Sequence, residues 1–279
     1  MSFRKISLIV VLCLLVGHIE SQPLKILTCN IRLDTPDDGP NAWPIRKAWL
    51  CNQIKAANPG IFGIQEGLPH QVKYIDSVFS EFRHIGVGRE DGKVNGEFSA
   101  IWYNIKFFRL IRHGTFWLSS TPQIPSLGWD AACKRVCTYG LFRNISSGQQ
   151  FWVFNTHFDH MGEQARKNSA LLVLQKIDTL NKSGLPVILT GDFNDIPESL
   201  PVKIILGKLQ DSKISDRSIS MGPGGTFNGF DLTKSPRERI DYIFTGYGAR
   251  AANYHIISEQ RDGRYSSDHF PVVAEINFK

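Results

Sequence analysis

Long apolar runs are scarce in this 279-residue chain, and neither sign of charge dominates it. The one continuous apolar run, Ile6 to Val16, is too short to span a bilayer comfortably. It follows a basic start at Arg4 and Lys5 and precedes the polar stretch His18-Ile19-Glu20-Ser21. That order reads as a secretory signal over residues 1–21, cut near Ser21 or Gln22, with an uncleaved anchor as the alternative. Leu12 is too large for lipid attachment at Cys13. Cysteine is sparse, and no Cys-x-x-Cys pair exists, so no zinc site is proposed. Cys13 leaves with the signal. Cys29, Cys51, Cys133 and Cys137 would then meet an oxidising compartment, where three pairings are open. A Cys133–Cys137 bridge would need a turn between them. No short repeat or linker divides the chain, which points to one domain over residues 23–279. The net charge of +6 permits a phosphate-rich partner without establishing one.

What is present is core-forming: 42% apolar residues, with 18 Phe and 6 Trp, suit strand-rich packing. Residues 23–32 alternate and end polar, a strand pattern. Residues 43–57 have helical spacing with Ile45, Trp49 and Ile54 inward, stopped by Asn58-Pro59-Gly60. Residues 61–66 form a short strand ending in a carboxylate, and Pro69 opens a helix to residue 79. Strands follow at 83–87, 98–103, 107–118, 135–143 and 151–157. A helix at 162–181 places Ala165, Leu171, Leu174 and Ile177 inward. A buried strand runs through Val187, Ile188 and Leu189 to Asp192. A short helix at 199–206 and strands at 239–245, 253–258 and 270–278 complete the chain. Alternation at both ends around a more antiparallel middle implies an α/β protein of two packed sheets with helices outside.

Polar residues recur where these strands end: Asn30, Glu66, His157 with Asp159, Asp192 with Asn194, and Asp268-His269. Asp241 interrupts an apolar strand, where an ionised side chain requires a partner. Taken singly, each has a plain structural reading. Asp192 and Asn194 suit an Asx turn as well as a site, and two residues apart in extended backbone they would face one side. Glu66 suits a helix start, His157 a satisfied core position, and Asp268 a loop cap. Jointly they suit one chemistry. Glu66 and Asp268, with Asn30 or Asp192, are hard oxygen ligands that favour Mg2+ or Mn2+. His157 and His269 are cationic donors for a phosphoryl transition state, and Asp192 can orient or deprotonate water.

The segments Thr28-Cys29-Asn30-Ile31-Arg32, Ile64-Gln65-Glu66, Asn155-Thr156-His157-Phe158-Asp159-His160, Thr190-Gly191-Asp192-Phe193-Asn194, Arg239-Ile240-Asp241-Tyr242 and Ser266-Ser267-Asp268-His269-Phe270-Pro271 share one order. They resemble the motifs of the endonuclease/exonuclease/phosphatase superfamily, from residue 24 to the end. Further stretches, including Gly128-Trp129-Asp130 and Gly225-Thr226-Phe227-Asn228, resemble a secreted, mostly uncharacterised branch near the deadenylase-like members. The resemblance implies a four-layer α/β/β/α sandwich of two mixed sheets packed face to face. It implies Glu66 as principal metal ligand, with Asn30 beside it and Asp268 as a further ligand. His157 and Asn194 would contact the scissile phosphate, and Asp192 would handle the attacking water. His269, supported by Asp241, would bind phosphate or act as acid/base. Asp159 and His160 receive no role. Asn228 stands where branch relatives often carry His, so substrate preference would differ if that position touches substrate.

The resulting expectation is a secreted Mg2+-dependent phosphoesterase, extracellular or periplasmic, cleaving phosphodiesters of DNA or RNA as a nuclease. A phosphatase or phosphodiesterase acting on phospholipid or sugar phosphates is the alternative, and a catalytically inactive binding module is the third reading. The expected partner is a phosphate ester, nucleic acid first, met by a monomer with no stable membrane insertion once the signal is removed.

Overall fold

Strand β1 (Leu24–Asn30) is buried at every position but one, as a strand covered on both faces must be. The computed structural model describes residues 23–214 and 219–279, so the expected signal segment lies outside the described residues. After β1 come α1 (Trp43–Ala57), β2 (Ile61–Gln65), α2 (Pro69–Val78), β3 (Phe82–Ile85), β4 (Ile101–Asn104), β5 (Phe108–Trp117), β6 (Val136–Asn144) and β7 (Gln150–His157). The chain continues through α3 (Glu163–Leu180), β8 (Val187–Asp192), α4 (Leu200–Leu206), β9 (Gln210–Asp211), β10 (Ile219–Met221), β11 (Asp241–Gly246), β12 (Ala249–Ile256) and β13 (Val272–Phe278). A 3-10 turn at Pro36–Asn41 and the short β9 and β10 carry too little pattern to be read from sequence.

Two mixed sheets result, ordered β10-β12-β13-β1-β2-β4-β3 and β5-β6-β7-β8-β11-β9. Three apolar clusters fill the three spaces of a four-layer sandwich. Ile26, Ile61, Phe151, Val153, Ile188, Ile243 and Val272 meet between the sheets. Leu27, Cys29, Phe62 and Ile64 face Leu50, Ile54, Val72 and Ile75 of α1 and α2. Trp152, Phe154, Val187, Leu189 and Phe244 face Val173, Ile177, Val202 and Ile205 of α3 and α4. Neighbours such as Val187 and Ile188 fall in different clusters because successive strand side chains point to opposite faces. Burying each large apolar side chain contributes roughly 1.5–3 kcal/mol.

Helix α1 corrects the expected inward face. Ile54 is buried, but Ile45 is 56% exposed, while Arg46 and Gln53 lie inside. Arg46 is buried because it serves backbone carbonyls: Ile31, Ser266 (3.2 Å), Arg32 (2.8 Å) and Asn41 (2.7 Å) all accept from its guanidinium. It thus ties α1 to the strand ends that flank the site. Leu171 of α3 is likewise exposed, whereas Ala165, Leu174 and Ile177 are buried as expected.

None of the three cysteine pairings is formed; Cys29, Cys51, Cys133 and Cys137 are free thiols. Cys137 lies in extended β6, so the turn a bridge to Cys133 needs is not made. Burial pushes the Cys51 thiol up to about 12, keeping it protonated.

Candidate active site

Strand register assembles the site. β7 pairs in parallel with β8, setting His157 opposite Asp192. β11 pairs antiparallel with β8, setting Asp241 opposite the same Asp192. One row at a sheet end therefore reads His157, Asp192, Asp241. In the other sheet, Asn30 lies opposite Gln65, so Glu66 is the first residue past the pairing. Asn30 Nδ2 donates to Glu66 Oε1 and to Asp192 Oδ2, each at 2.9 Å, joining the two sheets. Glu66 Oε2 accepts from the Leu33 amide at 2.9 Å.

Three residues just past these strand ends have left-handed backbone: Arg32 (φ 53°), Glu66 (φ 64°) and Asn194 (φ 49°). Such a conformation costs an L-residue about 1–2 kcal/mol. Strain held at three converging strand ends is the pattern of a functional site. It also corrects one expectation. Asp192 and Asn194 do not share a pocket through strand alternation, because β8 ends at Asp192. The Asn194 amide N–H donates to Asp192 Oδ1 at 2.9 Å, an Asx turn. Turn and site are the same structure, since the turn brings Asn194 Nδ2 to 3.0 Å from His157 Nε2.

The electrostatics divide the pocket. His269 Nδ1 meets Asp241 Oδ2 at 2.9 Å, and its Nε2 lies 3.8 Å from Asp192 Oδ2. Burial alone would lower the His269 pKa, but Asp241 and Asp192 lift it well above the usual imidazole range. These two carboxylates favour the imidazolium form of His269. Burial and the charge of Asp241 push Asp192 up to about 7, against the pull of His269 and Asn30. A carboxylate poised there is matched to taking a proton near neutrality. His157 goes the other way: burial, Arg135 and Arg89 hold it well below its ordinary value. Asp268 is raised, first by burial, with Glu66 among the charges that repel its ionised form.

This distribution indicates where a cation fits. Asp192, Asp241 and His269 lie close enough to converge on one ion. His269 Nδ1 is already engaged by Asp241 and its Nε2 faces Asp192, so in this structure the trio forms a hydrogen-bonded relay suited to proton handling. Glu66 and Asp268 are the mutually repelling oxygen donors that a hard divalent ion would relieve. Asn30 turns its NH2 to two carboxylates, and its Oδ1 accepts from Arg32 N at 2.9 Å, so in this structure it positions those carboxylates. A second trio, Cys133, Asp159 and His160, is already occupied. Asp159 Oδ1 accepts from the amides of Ala132, Met161 and Gly162, and its Oδ2 faces Arg135.

All eight expected residues (Asn30, Glu66, His157, Asp192, Asn194, Asp241, Asp268 and His269) converge at this edge. Asp159 lies beneath it, pinning residues 132–135. Asn228 is buried; its Nδ2 donates to Ser267 O at 3.1 Å and its Oδ1 accepts from Phe230 N at 2.8 Å, so it shapes the loop. Two residues escaped the sequence reading. Thr226 Oγ1 accepts from the amides of Ile240 and Asp241, fixing the start of β11. Arg135 is 5% exposed and contacts His157 and His160, each at 3.0 Å. Like Asp241, Arg135 is a buried charge that demands partners, but immediately before β6 it interrupts no apolar run that would mark it in the sequence.

A four-layer sandwich with carboxylates, amides and two imidazoles at one edge defines a hydrolase of phosphate esters. The chain belongs to the endonuclease/exonuclease/phosphatase family, whose model matches residues 27–269, and it is a metal-dependent phosphoester hydrolase. It is similar to a mannosyl-6-phosphatase from Bacteroides thetaiotaomicron, with 36% identity and a TM-score of 0.87 over 91% of this chain and 100% of that one. A family protein from the same organism has 36% identity and a TM-score of 0.87 over 92% of this chain and 99% of that one. D. rerio TDP2, solved with a single-stranded DNA product, shares the fold with a TM-score of 0.70 at 20% identity, over 91% of this chain and 98% of that one.

Proposed function

We propose that this protein is a secreted, Mg2+-dependent phosphatase that hydrolyses a phosphate monoester on a sugar. One observation carries the catalytic part: Asn30 joins Asp192, the proton acceptor, to Glu66, the cation holder, through two 2.9 Å hydrogen bonds. The substrate class is supported by 36% identity, across the whole length of that chain, to a mannosyl-6-phosphatase. The likeness to TDP2, at 20% identity, speaks for the fold and leaves nucleic acid as the competing substrate in the test.

In this mechanism Glu66 and Asp268 would hold Mg2+, which neutralises charge on the phosphoryl oxygens when bound. Asn194 and His157 hold the phosphoryl group. Asp192 accepts a proton from water as the water oxygen bonds to phosphorus. The P–O bond to the sugar breaks, the leaving alkoxide takes a proton from bulk water, and Asp192 returns its own proton to solvent. His269, kept cationic by Asp241, stabilises the developing negative charge.

The deciding assay offers the mature chain mannose 6-phosphate, DNA, RNA, sphingomyelin and a generic phosphodiester, each with Mg2+ and with chelator. Release of inorganic phosphate from the sugar ester, stopped by chelator, is expected. Cleavage of nucleic acid or lipid alone would overturn the substrate class. N-terminal sequencing of the exported protein tests the signal; an intact Met1 would remove it.

A further inference from the structure

His157 has a donor at each ring nitrogen. Arg135 Nη1 lies 3.0 Å from Nδ1, and Asn194 Nδ2 lies 3.0 Å from Nε2. A neutral imidazole has one lone pair and one N–H, so it can accept at only one of them. The two donors are not equivalent. A guanidinium has only N–H groups to offer, whereas Asn194 Nδ2 has a carbonyl partner, Phe158 O, at 3.0 Å. Arg135 is also fixed: its Nη2 faces His160 Nδ1 at 3.0 Å and its Nε faces Asp159 Oδ2 at 3.4 Å. Asp159 is itself held by three backbone amides, so the guanidinium cannot turn away without leaving a buried charge unpaired.

We propose that Arg135 is a positioning residue that makes Nδ1 of His157 the acceptor and leaves the proton on Nε2; Asn194 then gives its NH2 to Phe158 O and not to His157, and a phosphoryl oxygen entering beside both side chains accepts from Nε2–H. Asp192 Oδ2, 3.5 Å from Nε2, is the acceptor it faces within the protein. The assignment of a phosphoryl partner rests on the phosphatase reading above; the location of the proton does not. His160, an exposed residue, meets the same guanidinium at its Nδ1.

Long-range 1H–15N correlation spectra of the 15N-labelled mature chain report which imidazole nitrogen carries hydrogen, with His157 identified by its loss in His157→Asn. The expected wild-type spectrum has an unprotonated Nδ1 and a protonated Nε2. In Arg135→Met the Nδ1–H form should appear, and kcat should fall roughly 10- to 100-fold, the usual cost of losing a partner that orients a functional His. Arg135→Lys keeps the charge but loses the fork, and should fall between the two. An Nδ1–H tautomer in the wild type would overturn the proposal. So would a His157 spectrum unchanged in Arg135→Met, even with activity lost, because that result would make Arg135 merely structural. Should Arg135→Met fail to fold, the wild-type and Arg135→Lys spectra decide. The expected tautomers in a chain that releases no phosphate from any ester would leave the proton assignment standing and remove the phosphatase reading.

Discussion

The two imidazoles of this site stand on either side of Asp192 and are driven to opposite charge states. On the β7 side, His157 faces the Arg135 guanidinium, and burial and that cation keep it neutral. On the β11 side, His269 faces Asp241 and Asp192, and their charges keep it protonated despite the same burial. Desolvation is common to both and works against the cation in both, so it cannot be the discriminator. The sign of the neighbouring charge is. A neutral donor suits holding a phosphoryl oxygen, and a cation suits offsetting charge as it develops.

The strongest way to break this contrast is to remove its hinge. Asp192→Ala should lower kcat by at least about 10^3-fold while the chain keeps a cooperative thermal transition. A transition lost together with activity would make Asp192 structural. His269→Asn, which deletes the cationic side, should lower kcat by roughly 10^3–10^4-fold. His157→Asn removes one phosphoryl donor and should cost roughly 10^2-fold. Equal losses in the two His variants under steady-state kinetics would erase the distinction between the roles.

Glu66→Gln should weaken Mg2+ binding at least about tenfold by isothermal titration, with His269 still protonated by NMR. Unchanged affinity would move the cation towards the Asp192–Asp241–His269 trio. The pH dependence sharpens the contrast further. Asp192 must be ionised to accept a proton, so kcat/KM should rise through about pH 7, and that limb should vanish in Asp192→Asn. The stability effect has the opposite sense. The folded-state pKa of Asp192 is raised from 3.8 to about 7, so the native state binds more protons than the unfolded chain between those values. Asp192 therefore loses stability for the fold as pH rises through that window. The Tm difference between Asp192→Asn and wild type should move in the variant's favour by a few degrees, and a difference independent of pH would contradict the assignment. His269 contributes stability below the usual imidazole range that is lost as pH rises through its elevated folded pKa.

The strands carrying the site were legible because each is a short apolar run ended by a polar residue. Asn30, Glu66, His157 and Asp192 were found in that way. The regions where legibility failed share a cause. Ile45 and Leu171 fit a helical stripe by spacing, yet both face solvent. Arg46 broke that stripe and is buried, because its partners are carbonyls of residues 31, 32, 41 and 266, three of them distant in sequence or separated by a loop. Arg135 escaped for the same reason: its partners lie 22 to 25 residues away. Asn228 invited a substrate role by position, but its hydrogen bonds go to the protein itself.

By itself the sequence determined the layers and the chemical types at the strand ends, since period-two alternation and local polarity are properties of neighbouring residues. It also carried the ordered motifs of the family. Only the tertiary structure decided the charges. Whether an imidazole is neutral or cationic depends on which side chains from other strands sit within about 4 Å, and strand register sets that distance. Asp192 became a base poised near neutrality because β7 and β11 place His157 and Asp241 opposite it, from positions 35 and 49 residues away.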